Sequence, residues 1–338
     1  MADVVKVAID AMGGDNAPVD IIKGAVDAVN EENGVNILLV GKETVLNSVL
    51  AKYTYDKNRI TVVNAEEVIE TGEHPVEAIR KKKDSSLVKA LYLVKQKEAD
   101  AFISAGNSGA ILVGGQTIVG RIKGVERPPM APLIPTEKGF SLLVDSGANV
   151  DSRPSFLVQW AKMGTIYMEN VLGIKNPKVA IVNVGLEENK GNQLVKDTYP
   201  LLKECKDINF VGSIEARNIP KGDADIIVCD AFVGNVILKL FEGVGSTFMH
   251  KIKATMMSSF KTKIGALLIK KSLKETLSDF DATKQGGAPL IGLNGLVVKV
   301  HGTSKSSEIK YAVKQCKKFT EGKINEKIIK SISAEKLD

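Results

Sequence analysis

The chain is poor in residues that mark several classes of protein. Its 338 residues hold only three cysteines, Cys205, Cys229 and Cys316. Their odd number, wide separation and lack of a C-x-x-C pair exclude a disulfide framework and a cysteine zinc site, and point to a reducing, cytoplasmic setting. Aromatic residues make up 5%, so the core has to be aliphatic. No apolar stretch approaches the roughly 20 residues that span a bilayer. The first apolar strand begins by Val4 and carries Lys6, unlike a secretory leader. Neither G-x-x-x-x-G-K-[ST] nor a G-x-G-x-x-G after the first strand is present, which speaks against a P-loop nucleotidase and a standard dinucleotide fold. Lysine and arginine outnumber acidic residues by 46 to 40, but they are scattered, with no zinc spacing or helix-turn-helix, so nucleic acid is not an expected partner. With three histidines and no Ser-His-Asp or Cys-His set, an acyl-enzyme intermediate is not expected. No metal site and no organic cofactor is indicated.

What is present is alternation. Hydrophobic residues make up 44% and charged residues 25%, the balance of one large globular unit over residues 1–338 or of two fused lobes. After a first strand through Val5, Val7 and Ile9, apolar runs of strand length recur at 36–40, 60–63, 101–104, 140–144, 178–182, 208–212, 225–229 and 296–300. Helical patterns lie between them, at 42–52, 85–97, 109–121, 151–170, 190–204, 234–258, 262–278 and 304–320. This order predicts an α/β fold, a largely parallel sheet in an α/β/α sandwich. The segment from Arg127 to Pro135 carries Pro128, Pro129, Pro132 and Pro135, which predicts a lobe connection or an extended edge piece.

Glycine-rich turns follow these strands. The first, Asp10 to Pro18 with Gly13, Gly14 and Asp15, leads into a helix whose apolar face is Ile21, Ile22, Ala25, Val26 and Val29. Ser104, Gly106, Asn107, Ser108 and Gly109 follow the run at 101–104, and Asp145 to Asn149 follow the run at 140–144. Asp230 to Asn235 come after the run at 225–229, and Gly286 and Gly287 open a further loop. In a parallel sheet such turns gather on one edge and offer backbone N–H groups to an anion. Each alone is explained as turn chemistry; the set predicts a phosphate-sized site.

Three kinds of charged group stand out. Arg80, Lys81, Lys82 and Lys83 precede Ser85 and Ser86, a run that suits an acidic partner or a solvated helix end. Lys190 is set beside Gly191, where a lysine can hold an anion or stand as a plain surface residue. His301 ends the last apolar run and is the histidine best placed for proton transfer, unless it only caps the next helix. From 248 to 280 two amphipathic helices are predicted, with Phe248, Ile252 and Met256 on one and Ile264, Leu267 and Leu268 on the other. Lys261, Lys263, Lys270, Lys271 and Lys274 rim the second. Such a tip can rest reversibly on an anionic membrane surface, or serve as a dimer or lobe interface.

Together these ordered motifs resemble the bacterial phosphate acyltransferase family of phospholipid synthesis (PlsX type). They run from Asp10–Pro18 through Arg80–Ser86, Ser104–Ala110, Val144–Asp151, Asn183–Gly191, Glu215–Arg217, Asp230–Asn235 and Gly286–Gly295 to His301–Ser304. The resemblance implies a fold like the isocitrate and isopropylmalate dehydrogenases, a homodimer, and transfer of a fatty acyl group from acyl carrier protein to inorganic phosphate. It also implies peripheral membrane association through the hairpin and a membrane glycerol-3-phosphate acyltransferase as a further partner. On this reading Lys190 and turn amides hold phosphate, with Asn149 and Asn235 among the binding residues. His301 assists proton transfer, Asp230 orients a donor, and the 80–83 run docks the carrier. The chain departs from the family pattern at Asn218, at Ala231-Phe232-Val233 and at Gln285. Two other readings stay open: a nicotinamide-dependent decarboxylating dehydrogenase of the same fold, and a non-catalytic membrane scaffold for the carrier.

Overall fold

Every apolar run singled out above forms a strand in the computed structural model, which describes residues 4–279 and 282–334. In chain order the strands are β1 (Val5–Asp10), β2 (Val35–Gly41), β3 (Ile60–Asn64), β4 (Ala101–Ser104), β5 (Leu133–Thr136), β6 (Gly139–Val144), β7 (Lys178–Val182), β8 (Asn209–Ile214), β9 (Ile226–Val228), β10 (Ala288–Leu290) and β11 (Leu296–Lys299). Where alternation alone implies one sheet, the strands divide between two. One has the order β10-β11-β4-β1-β2-β3 and the other β5-β6-β9-β7-β8. All pairings are parallel except at one edge of each sheet, where β10 and β5 run antiparallel to their neighbours.

The proline-rich segment does both of the things expected of it. Pro135 lies in the edge strand β5, where a missing N–H donor is tolerated. The residues before it cross to the other sheet: Ala131 N donates to the Pro289 carbonyl at 3.0 Å and Ile291 N to the Pro129 carbonyl at 3.2 Å. A single aliphatic core runs through both sheets, joining Ile9 and Ile103 of the first to Leu142, Val144, Ile181 and Val228 of the second. Trp160, fully buried on the helix Pro154–Tyr167, fills its middle and donates its indole N–H to the Arg127 carbonyl at 2.8 Å. The opposite face of each sheet has its own cluster, around Phe102 and Leu91 in one case and Leu143 and Ile227 in the other.

Two helices escaped the periodicity reading, Pro75–Lys81 and Ile324–Ala334. The first has only seven residues and ends in the basic run. The hairpin comprises Ala231–Met256 and Phe260–Asp279, so its first helix starts directly at the end of β9. At the bend, Ser259 N donates to Thr262 Oγ1 at 3.0 Å and Thr262 N to Ser259 Oγ at 3.2 Å, a reciprocal cap that starts the second helix. Phe280 and the side chain of Lys274 lie outside the described residues.

The start of the long helix is pressed onto the turn after β6. A Cβ added at Gly234 would clash with the Asp145 carbonyl oxygen and sit 3.1 Å from Cys229 Sγ. Because backbone cannot yield as a side-chain tip does, Gly234→Ala is expected to destabilise the fold by about 1–3 kcal/mol in urea unfolding. An unchanged midpoint would contradict this packing.

Candidate functional site

β1 ends on Asp10, which is 2% exposed. Ser104 Oγ, at the end of neighbouring β4, donates to Asp10 Oδ2 at 2.7 Å and accepts from Gly106 N at 2.9 Å. Met12 N reaches Asp10 Oδ1 at 3.3 Å. The two glycine turns meet above this carboxylate: a Cβ on Gly13 would fall 2.5 Å from Asp10 Oδ2 and 2.9 Å from Gly106 Cα. The turn after β11 closes the group, since Asp15 N donates to the Gly302 carbonyl at 2.8 Å and Asn16 Nδ2 to the Thr303 carbonyl at 2.9 Å. Burial pushes the Asp10 carboxyl above its ordinary range, and the hydroxyls of Ser86 and Ser104 offset part of that rise.

β6 ends in the same way on Asp145, which is fully buried. Its Oδ1 accepts from the amides of Met130 at 2.9 Å, Gly147 at 3.2 Å and Ala148 at 3.1 Å. Its Oδ2 accepts from Asn149 N and Nδ2, both at 2.8 Å. Burial raises this carboxyl too, against those donors.

The amides of the Asp145 turn are therefore turned onto the protein's own carboxylate, and at Asp10 Met12 N does the same while Gly106 N is taken by the Ser104 hydroxyl. Asn149 spends its side chain on Asp145 and the Pro128 carbonyl. Asn107 is an architectural residue as well: Oδ1 caps the helix Ser108–Gly114 through Ala110 N at 2.9 Å, and Nδ2 contacts the carbonyls of Glu70, Thr71 and Glu73. Gly109 packs on Pro75, and Ser108 is exposed. Gly287 gives its N–H to Gln315 Oε1 at 2.9 Å, and Gln315 Nε2 in turn donates to the Gly287 carbonyl and to Tyr167 Oη. Gly286, at φ +96°, packs on the same side chain.

An open space lies at the ends of β7, β8 and β9. It is a cavity of about 520 Å³, walled by Leu157, Ile181, Leu194 and Val195 and edged by Asn183, Arg217 and Asp230. Asp230 caps the helix Ala231–Met256, accepting from Val233 N at 2.8 Å. Arg217 is engaged by Glu215 at 2.7 Å. Gly191 has φ +99°, and a Cβ there would strike Asn183 Oδ1 at 2.5 Å, so only glycine lets the 184–191 loop fold onto β7. Lys190, next in chain, is exposed beside this rim and its ammonium has no hydrogen bond or ion pair among the described residues. Asn235, one turn into the capped helix, is half-buried.

The three chemical candidates are thus not brought into one contact. Lys190 and Asp230 belong to the second sheet, whereas His301 stands exposed at the end of β11, its Nδ1 2.8 Å from Thr303 Oγ1. The helix Ala231–Met256 spans between them, because its Lys239 and Glu242 interact electrostatically with Lys299. Lys299 itself was missed in the sequence, being the last residue of an apolar strand. It pairs in register with Ser104, and burial pushes its ammonium below the usual lysine range.

The basic run is largely spoken for. Lys81 pairs with Glu77, Lys82 with Glu73 and the Val68 carbonyl, and Lys83 donates to the Ile79 carbonyl at 3.0 Å. Ser85 caps the helix Ser86–Lys95. Arg80 remains exposed. On the hairpin, Phe260, Leu267 and Leu268 are 80%, 71% and 79% exposed, Ile264 is 46% exposed, and no described helix is long and apolar enough to cross a membrane.

Solved structures share this fold. A phosphotransacetylase from Streptococcus pyogenes superposes with a TM-score of 0.60 over 94% of each chain at 18% identity. A 4-hydroxythreonine-4-phosphate dehydrogenase from Burkholderia phymatum gives 0.50 over 93% of this chain and 98% of that one, at 12% identity. The fold expected from the sequence is therefore one found in both acyl-transfer enzymes and dehydrogenases. The family model described as "Fatty acid synthesis protein" matches residues 5–327, and the chain belongs to that family. A phosphate acyltransferase of Clostridium perfringens is 49% identical over 330 residues, covering 96% of this chain and 97% of that one.

The two buried carboxyls carry a sign for pH. A carboxyl whose value is raised by folding contributes stability that is complete below its ordinary value, 3.8 for Asp10, and is lost as pH rises through the raised value. Asp10→Asn removes that loss, so the melting temperature of the variant is expected to gain on the original as pH climbs above 3.8. Parallel curves would show that Asp10 is not held at a raised value.

Proposed function

We propose that the chain is a phosphate acyltransferase that moves a fatty acyl group from the thioester of acyl carrier protein to inorganic phosphate, giving an acyl phosphate for phospholipid synthesis. The observation that carries this reading is the cavity at the ends of β7–β9, with aliphatic walls suited to an acyl chain and, beside its polar rim, a lysine with no hydrogen bond or ion pair among the described residues. The name shared by the near-full-length relatives favours it over nicotinamide-dependent oxidation.

Phosphate is a dianion near neutral pH and needs positioning more than activation. Lys190 and Asn235 hold it at the rim. One phosphate oxygen attacks the thioester carbonyl, forming the C–O bond; the tetrahedral oxyanion collapses and the C–S bond breaks. The departing thiolate takes a proton from solvent at the rim, because His301 stands at the end of β11 out of contact with Lys190 and Asp230, while Asp230 caps the helix that flanks the developing charge. Aliphatic walls keep water from the acyl phosphate.

The same reading includes a homodimer and contact with an anionic membrane. Val236, Leu240, Val244 and Phe248 form an exposed stripe at four-residue spacing on the first hairpin helix, suited to a second copy. Phe260, Ile264, Leu267 and Leu268, ringed by Lys261, Lys263, Lys270 and Lys271, suit a lipid surface. That places the product near a membrane glycerol-3-phosphate acyltransferase.

Purified protein given acyl carrier thioester and labelled phosphate is expected to form labelled acyl phosphate. Binding of liposomes with no phosphate-dependent loss of thioester would instead support a scaffold. Lys190→Ala is expected to lower kcat/KM for phosphate by about 100-fold, the scale of one transition-state contact; an unchanged rate removes Lys190 from the mechanism. Leu267→Glu with Leu268→Glu is expected to abolish co-sedimentation with anionic liposomes, and retained binding would exclude the hairpin tip as the contact.

A further inference from the structure

A second cleft, of about 540 Å³, opens beside the cavity and is lined by Arg121, Arg127 and Arg153 with Glu126, Asp151 and Phe156. Arg121 and Arg127 flank one short loop and Arg153 lies 26 residues beyond, and each rises from fixed backbone. Arg121 bridges to Leu293 and its carbonyl accepts from Asn294 Nδ2 at 3.1 Å. The Arg127 carbonyl is held by the buried Trp160 indole, and Arg153 caps the helix Pro154–Tyr167. The side chains of Arg127 and Arg153 make no hydrogen bond or ion pair among the described residues. The Arg121 guanidinium donates to the Glu126 carbonyl. These are forked donors held ready for carboxylates from outside. The contrast with the 80–83 run is direct, since the lysines there already have partners within the fold.

The cleft also has the right neighbour. Phe156 lines it, while Leu157, the next residue, lines the cavity that ends at Asp230. The turn between them is pinned on both sides, with Ser152 Oγ and Ala231 N both donating to the Asn149 carbonyl. The 149–153 turn therefore adjoins both the arginine cleft and the start of the helix behind Asp230.

We propose that the Arg121–Arg127–Arg153 cleft is the docking surface for the acidic carrier protein that bears the acyl group, an inference that rests on the carrier-dependent reading above. Three guanidiniums meet carboxylates on the carrier, and Glu126 and Asp151 between them set which carrier carboxylates fit. The tethered acyl chain then enters over the 149–153 turn.

The test uses the full-length protein and purified acyl carrier protein. Binding is measured by calorimetry, and kinetics are compared on the carrier thioester and on the same acyl group carried by free pantetheine. Arg127→Glu with Arg153→Glu is expected to weaken carrier binding by about tenfold or more and to flatten its salt dependence. KM for the carrier thioester should rise by a similar factor, with no matching rise for the pantetheine thioester or for phosphate. Arg127→Gln with Arg153→Gln, a milder pair, should give a smaller loss of the same kind. Unchanged carrier affinity in a folded double variant would overturn the proposal. So would an equal loss on both thioesters, or a change of oligomeric state, which would make the cleft an interface between copies. If arginine-dependent carrier binding is found but no acyl phosphate forms, the docking surface stands and the acyl-transfer reading falls.

Discussion

The structure depends on how the ends of its parallel strands dispose of backbone N–H groups. β1 and β6 solve this alike, each ending on a buried aspartate that collects the donors of the turn behind it. A buried carboxylate without partners would be costly, as would a buried amide without an acceptor, and pairing them offsets part of both penalties. The Asp145 turn also takes in Met130 and, through Asn149, Pro128. One carboxylate thus fixes the passage between the two sheets. The ends of β7 and β9 are built differently: there Asp230 caps a helix and the loop before Lys190 folds over Asn183.

That division explains why glycine sits where it does. Gly13 and Gly106 let two turns touch above Asp10, and Gly234 lets the long helix close on Asp145. The same helix then runs past Lys299 and on into the exposed hairpin. A single element therefore links the cavity, the end of β11 and the exposed hairpin. The core shared by both sheets holds these parts in register, since Trp160 packs between them and ties down the backbone of Arg127.

Much of this was legible in the sequence. Aliphatic runs specify β1, β2, β4, β6, β7, β9 and β11 because most of their residues are buried, while the edge strands β3 and β8 stay partly exposed. β5 and β10 have only four and three residues and take their form from a neighbour, which periodicity does not record. The glycine turns were legible as turns, and their positions at strand ends are as expected. What the sequence does not record is the direction of the amides, toward a ligand or toward Asp10 and Asp145. Asn107 and Asn149 looked like ligand donors for the same reason: a side-chain amide that caps a helix and one that binds phosphate are the same residue type in the same kind of loop. Lys299 was hidden in an apolar run, and Arg121, Arg127 and Arg153 converge only after the crossing segment and the helix behind it have folded.

The central claim is that the anion pockets of the Asp10 and Asp145 turns are filled by the protein's own carboxylates, leaving phosphate to the second sheet. A crystal structure with bound phosphate tests this most directly. The account predicts the ion beside Lys190 and Asn235 of the helix Ala231–Met256. Phosphate seated between Gly13 and Gly106 instead, with the Asp10 carboxylate displaced, would contradict it.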